Sequence, residues 1–198
     1  MYEKIHPVRT LTEYKLPEKS YVLINEFTEK SFGALIKDSE EVIRTGQDFL
    51  PIVIDSFGGY CHSLFGMIDF LRQVDIPVIT VAVGKAMSCG ALLLSAGQER
   101  YVAPNASIMV HEISTFQWGK MTDIANNTRE AKRMNKLLFK ILDRNTGQKS
   151  GYWKSLCNKN KNADVYLTAN QCKKHNLATH IGIPHIETTI EVKRELVL

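Results

Sequence analysis

The chain has 198 residues, 44% of them hydrophobic and 23% charged, with a formal net charge of +4. That length holds one core of useful size, and the composition excludes disordered and collagen-like classes. The basic residues are scattered among acids, and the densest run, Lys154 to Lys161, is interleaved with Asn and carries no Arg; a nucleic-acid surface needs a basic stripe with aromatics or Arg forks, so no nucleic-acid partner is expected.

The first nineteen residues contain Pro7 and Pro17 and read as an N-terminal arm (1–19) ahead of a single domain (20–198). Tyr21 to Ile24 is a short apolar strand. Thr28 can cap a helix whose stripe is Phe32, Leu35, Ile36 and Ile43, and Gly46 stops it. Ile52 to Ile54 is a buried strand that opens into Asp55-Ser56-Phe57-Gly58-Gly59. A helix follows with Leu64, Phe65, Ile68 and Leu71 on one face. Val78 to Val83 is the next strand, with Gly84 as its end. A helix over Ala91 to Ala96 stops at Gly97, and Arg100–Val102 and Ser107–Val110 are strand-like. Strands alternating with helices imply parallel pairing through right-handed crossovers, an α/β spiral of repeated β-β-α or β-α units. Ligands in such sheets sit where strands end and helices begin.

The second half differs. Thr122 can cap a long helix reaching about Asp143, with Ile124, Ala131, Met134, Leu138, Ile141 and Leu142 as its apolar positions and Gly147 past its end. A projecting helix with such a stripe is expected to dock on another subunit. Thr168 and Gln171 form a capping box that starts a final helix.

Four cysteines, Cys61, Cys89, Cys157 and Cys172, form no C-x-x-C pair, and the N-terminus has no signal-type apolar segment. Both features predict free thiols and a reducing, cytoplasmic location. The most apolar stretch, Ile76 to Gly97, is broken by Lys85, Ser88 and glycines, so it predicts a buried strand and helix and no membrane span.

Candidate chemistry starts at Gly84-Lys85-Ala86-Met87-Ser88-Cys89-Gly90. A serine just ahead of a helix lies at the positive end of the dipole, where free backbone N–H groups point outward. A hydroxyl there can attack a carbonyl, and the N–H of Cys89 can hold the oxyanion. On position alone, an ordinary N-cap explains Ser88 better. The segment is not G-x-S-x-G, because Ala86 occupies the first glycine place. Gly58-Gly59 directly after a buried strand can bring backbone close to a ligand and offer a second N–H, or can be a plain tight turn. His111 at a strand end suits a general base, or is a structural histidine. Asp164 could hold the far nitrogen of an imidazole, or is a solvated loop acid. The other histidines are at 6, 62, 175, 180 and 185. Their spacing fits no metal site, and no glycine loop fits a phosphate signature, so neither metal nor cofactor is expected.

Taken as a set, these residues resemble the proteolytic-subunit family of the Clp protease. Gly84 to Gly97 looks like its nucleophile segment, Pro104 to His111 its histidine segment and Asp164 to Ala169 its aspartate segment. Asp55 to Gly59 is similar to its oxyanion glycines, and Gln117 to Asn135 to its handle strand and helix, which places the handle at about 115–145. The resemblance implies the crotonase-like α/β fold of these peptidases (the ClpP fold), with a projecting handle helix. It implies a serine endopeptidase with a Ser88, His111, Asp164 triad and an oxyanion hole of the Gly59 and Cys89 N–H groups. It also implies a homo-oligomeric chamber of seven-membered rings, stacked in pairs, that cleaves unfolded polypeptide supplied by an AAA+ unfoldase. Two alternatives carry other implications: a catalytically weak or regulatory ring subunit supporting a paralogue, and a crotonase-fold acyl-CoA enzyme. The sequence departs from the family at several places. Asp55 and Phe57 replace Asn and Pro, which predicts a less fixed turn. Cys89 replaces Met. Asn162 and Ala163 stand where an Asp–Arg pair links the rings. Pro51, Val53 and Gln73 occupy rim positions that usually hold aromatics.

Overall fold

The computed structural model describes residues 19–115, 117–160 and 164–187. The arm, Asn162 and Ala163 therefore lie outside the described residues, apart from Lys19. Among the described residues, seven strands form one sheet: β1 (Val22–Ile24), β2 (Leu50–Ser56), β3 (Val78–Met87), β4 (Glu99–Val102), β5 (Ser107–Val110), β6 (Val165–Leu167) and β7 (His180–Ile181). Its spine runs β1-β2-β3-β4-β7, all parallel. The α/β class and its parallel pairing are as the alternation of elements predicted.

The strand β3 differs from expectation. It does not end at Gly84 but runs on to Met87. Ile54 of β2 pairs with Ala82, whereas Ser56 pairs with Ala86, so β3 has two extra residues between those pairs. Gly84, with φ 58°, sits in this bulge. A glycine there lets a strand bend and resume pairing, where a side chain would resist the positive φ. The first half of β3 then pairs with β4 and the second half with β5. This fork turns the sheet and creates the corner where the candidate residues meet.

Among the described residues there are six helices, five of them α1 (Glu29–Arg44), α2 (Cys61–Leu71), α3 (Cys89–Leu94), α5 (Tyr152–Lys159) and α6 (Ala169–Lys174). The helix α1 carries the expected Thr28 cap, with Ser31 at its third position completing a reciprocal capping box. Its buried face is Ser31, Leu35, Ser39 and Val42, while Ile43 is 37% exposed. The expected stripe is therefore rotated. Two small serines on the inner face let the helix lie close to its neighbours, and Ile43 falls beyond that contact. In α2, Leu64, Ile68 and Leu71 are buried as expected, and burial this complete contributes about 1.5–3 kcal/mol per side chain. All six residues of α3 are buried. The Thr168–Gln171 box is present at the start of α6.

The long helix is α4 (Met121–Asn145), which starts one residue before Thr122, with Lys120 at its N-cap and no side-chain cap bond. Only its C-terminal third is buried, through Leu138, Phe139, Ile141, Leu142 and Asp143. Its first residue, Met121, is 81% exposed, and Trp118, just ahead of the helix, is 89% exposed. No handle strand forms among the described residues ahead of it. A strand needs a pairing edge, and here Ile113 N–H instead donates to the Asn135 side chain at 3.1 Å.

The helix α5 has no counterpart in the sequence reading. It is started from a distance: buried Asp143 of α4 accepts from Gly151 N–H at 2.7 Å and Trp153 N–H at 3.1 Å. Trp153 is fully buried, and its indole N–H donates to Thr146 Oγ1 at 2.9 Å. His175 Nδ1 lies 2.6 Å from the Tyr152 hydroxyl, and the His180 ring stacks on Tyr101.

Candidate active site

Two strand registers bring the candidate residues together. The second half of β3 runs parallel to β5 with Met87 opposite Met109. The next amide, that of Ser88, donates to Met109 O at 2.8 Å. The strand β5 also pairs antiparallel with β6, Val110 opposite Val165. One step past these pairings stand Ser88, His111 and, running backward along β6, Asp164.

Ser88 occupies the N-cap position of α3, but its side chain makes no cap bond. Its backbone is at φ 54° and ψ −116°, one of two non-glycine residues with positive φ among the described residues. Such a conformation costs about 1–3 kcal/mol and persists only where surrounding structure imposes it. Here it aims Oγ away from the helix, to 2.8 Å from His111 Nε2. His111 Nδ1 faces Asp164 Oδ1 at 3.5 Å, long for a hydrogen bond. The two side chains are 24% and 48% exposed, so the carboxylate is solvated and the imidazole largely sheltered.

Gly58 and Gly59 occupy positions only glycine fits. A Cβ on Gly58, at φ 110°, would stand 2.9 Å from Ser88 Cβ. A Cβ on Gly59 would stand 2.6 Å from Phe27 O. A bridge joins Gly59 to Phe27 through the Tyr60 N–H, which donates to Phe27 O at 2.8 Å. Ser56 Oγ accepts from Gly58 N–H at 3.0 Å. The N–H groups of Gly59 and Cys89 take no part in these bonds. Gly59, Ser88, Cys89 and His111 line one cavity of about 200 Å³, with Asp164 behind the imidazole.

The turn of Asp55 and Phe57 is clamped, contrary to the looser turn expected. Lys85, from the β3 bulge, donates to Asp55 Oδ1 at 2.6 Å, and its ammonium lies 4.6 Å from the Phe57 ring centroid. Both partners of this pair are partly exposed, so it is worth at most about 1 kcal/mol, but it ties the ends of β2 and β3 together next to Gly58.

The cavity also contains Cys61, Leu92, Ile113 and Leu138, which sequence reasoning did not select. Cys61 had a local signal, two residues after Gly59. Leu138 had none, since it reaches the site from α4, far along the chain.

A model of the Clp protease family matches residues 41–184. The match takes in every strand from β2 to β7, the forked β3 and all three residues at the sheet corner. Among the described residues, no helix is long and apolar enough to cross a membrane. With a parallel-dominated α/β sheet and a family match over most of its length, the chain belongs to the Clp protease family, a family of serine-type peptidases.

Proposed function

We propose that this chain is a serine endopeptidase subunit in which Ser88 is the nucleophile, His111 the general base and Asp164 the orienting carboxylate. The observation that carries the reading is the 2.8 Å contact of Ser88 Oγ with His111 Nε2, made by a serine held in a strained backbone. For Nε2 to accept the hydroxyl proton, the imidazole proton must sit on Nδ1, the nitrogen facing Asp164. Ser88 Oγ attacks the peptide carbonyl as Nε2 takes its proton. The Gly59 and Cys89 N–H groups receive the oxyanion. Nε2 then protonates the leaving amine, and water, activated by the same nitrogen, releases the acyl group.

A fluorophosphonate probe tests the reading. It is expected to label the protein at Ser88, located by peptide mass mapping, and His111→Ala is expected to abolish labelling. Labelling elsewhere, or none in the assembled particle, contradicts it. The long separation of His111 Nδ1 from Asp164 favours a second reading, a subunit that is catalytically weak by itself and supports a paralogue. In that case Ser88 labels only in mixed rings.

The proposal extends to assembly. Residues 20–198 form one peptidase domain behind the 1–19 arm, and the subunits enclose a chamber that admits unfolded polypeptide in the cytoplasm. The exposed Trp118, just ahead of α4, and Met121, its first residue, support ring-to-ring contact through the handle. An apolar groove of about 500 Å³, lined by Pro51, Val53, Ile79, Val81 and Tyr101, supports docking of an AAA+ unfoldase loop. Gln73, expected beside it, is exposed past the end of α2 and does not line it. Native mass measurement is expected to give a ring or stacked rings, with Trp118→Asp/Met121→Asp shifting stacked rings to single ones. A stable monomer at physiological salt contradicts the assembly.

A further inference from the structure

Two of the four thiols share the Ser88 cavity. Cys61 is the first residue of α2 and Cys89 the first of α3, and both line the cavity with Ser88 and His111. The Cys89 thiol donates to Gly59 O at 3.3 Å, and Cys61, two residues after Gly59, lines the same cavity of about 200 Å³. Cys89 is buried, whereas Cys61 is partly exposed at the cavity wall.

The other two thiols offer a built-in contrast. Burial pushes Cys157 up to about 11 and Cys172 up to about 12, so both stay protonated and inert. The neighbouring Cys89 thiol instead brings Cys61 down to about 7, which makes much of it thiolate at neutral pH.

We propose that Cys61 and Cys89 are an oxidisable thiol pair in the wall of the Ser88 cavity, which a peroxide converts to a disulfide that closes the oxyanion hole. The effect on peptide cleavage rests on the function proposed above; the chemistry of the pair does not. The Cys61 thiolate attacks a peroxide oxygen, the O–O bond breaks, and the leaving oxygen takes a proton from solvent. Cys61 is then a sulfenic acid. The Cys89 sulfur attacks the Cys61 sulfur and gives up its proton; the S–O bond breaks and the departing hydroxide leaves as water. Two electrons pass from the thiols to the peroxide, and a dithiol reductant returns them. Cys61 follows Gly59 by two residues, and Cys89 carries the other proposed oxyanion N–H. The covalent bond ties these two segments together and removes the Cys89 thiol from the Gly59 carbonyl.

The test treats the assembled protein with hydrogen peroxide. It reads non-reducing peptide mass maps and fluorogenic peptide cleavage, each variant relative to its own peroxide-free rate. The expected map shows Cys61 joined to Cys89 with the loss of two hydrogens, and Cys157 and Cys172 free. Relative cleavage is expected to fall roughly a hundredfold, the cost of losing an oxyanion donor, and to return with dithiothreitol. Cys61→Ser, or Cys61→Ala if the first variant does not fold, is expected to hold its relative rate in peroxide. A map without the Cys61–Cys89 link overturns the proposal, as does a Cys61 variant that loses activity as the parent does. Ser88→Ala is expected to form the same link. If the peroxide-free protein cleaves no peptide, the proposed function fails while the mass map still decides the thiol pair.

Discussion

Ser88→Ala is expected to lower kcat for peptide cleavage by roughly 10⁶, about 8 kcal/mol of transition-state stabilisation. The size follows from what the substitution removes. Without Oγ no acyl-enzyme forms, and the His111 imidazole has no nucleophile to deprotonate. What remains is whatever the backbone donors and substrate binding supply, on the order of 10³–10⁴ over water. The fold is expected to persist, because the Ser88 side chain makes no cap bond to α3 and the N–H that holds the strand register is backbone. Alanine at φ 54° keeps the strain but adds none. Steady-state cleavage of a fluorogenic peptide, beside a far-UV circular dichroism spectrum matching the parent, checks this. Loss of less than about tenfold would remove Ser88 from the reaction.

Asp164→Asn is expected to lower kcat by roughly 10³–10⁴ with the fold intact. Asparagine can turn its amide toward Nδ1 and donate to it. That stabilises the tautomer with its proton on Nε2, which then points at Ser88 Oγ and cannot accept. The present Nδ1–Oδ1 separation of 3.5 Å and the 48% exposure of Asp164 set a second expectation. The parent should gain activity on assembly more than the variant does, if ring contacts shorten that separation. Single-turnover acylation of the particle and of dilute subunits reads both. A variant within about tenfold of the parent in both forms would make Asp164 a solvated loop acid, the plainer of its two readings.

Much of this molecule could be read from hydrophobic runs. Ile52 to Ile54 and Val78 to Val83 announced parallel buried strands, and Thr28 and Thr168 announced helix starts. What escaped depended on contacts between distant segments. Gly84 looked like a stop because glycine usually punctuates a strand; only pairing with two different partners lets β3 pass through it. The start of α5 is invisible locally, since Gly151 offers no capping side chain and the cap comes from Asp143. Ile43 seemed a core residue because its spacing was right, yet Ser31 and Ser39 hold the inner face. Within the site, Ser88, His111, Asp164, Gly59 and Cys89 were chosen by position and resemblance, and the sheet corner brings them together. The positive φ of Ser88 carries no residue-level mark, and the Asp55–Lys85–Phe57 clamp joins residues that each looked like separate departures.

The register of β5 has a consequence for how this chain tolerates change. Met109 is matched to Met87 on one side, and Val110 to Val165 on the other. Side chains on a strand alternate faces, so a slip of one residue would turn His111 away from Ser88 and toward the opposite face. Substitutions among Ser107, Ile108, Met109 and Val110 alter packing by degrees. An insertion or deletion there has no graded effect: it changes the parity of the strand. The segment between Asn105 and His111 is thus constrained in its length more strictly than in its letters, and a one-residue indel is the change it cannot absorb.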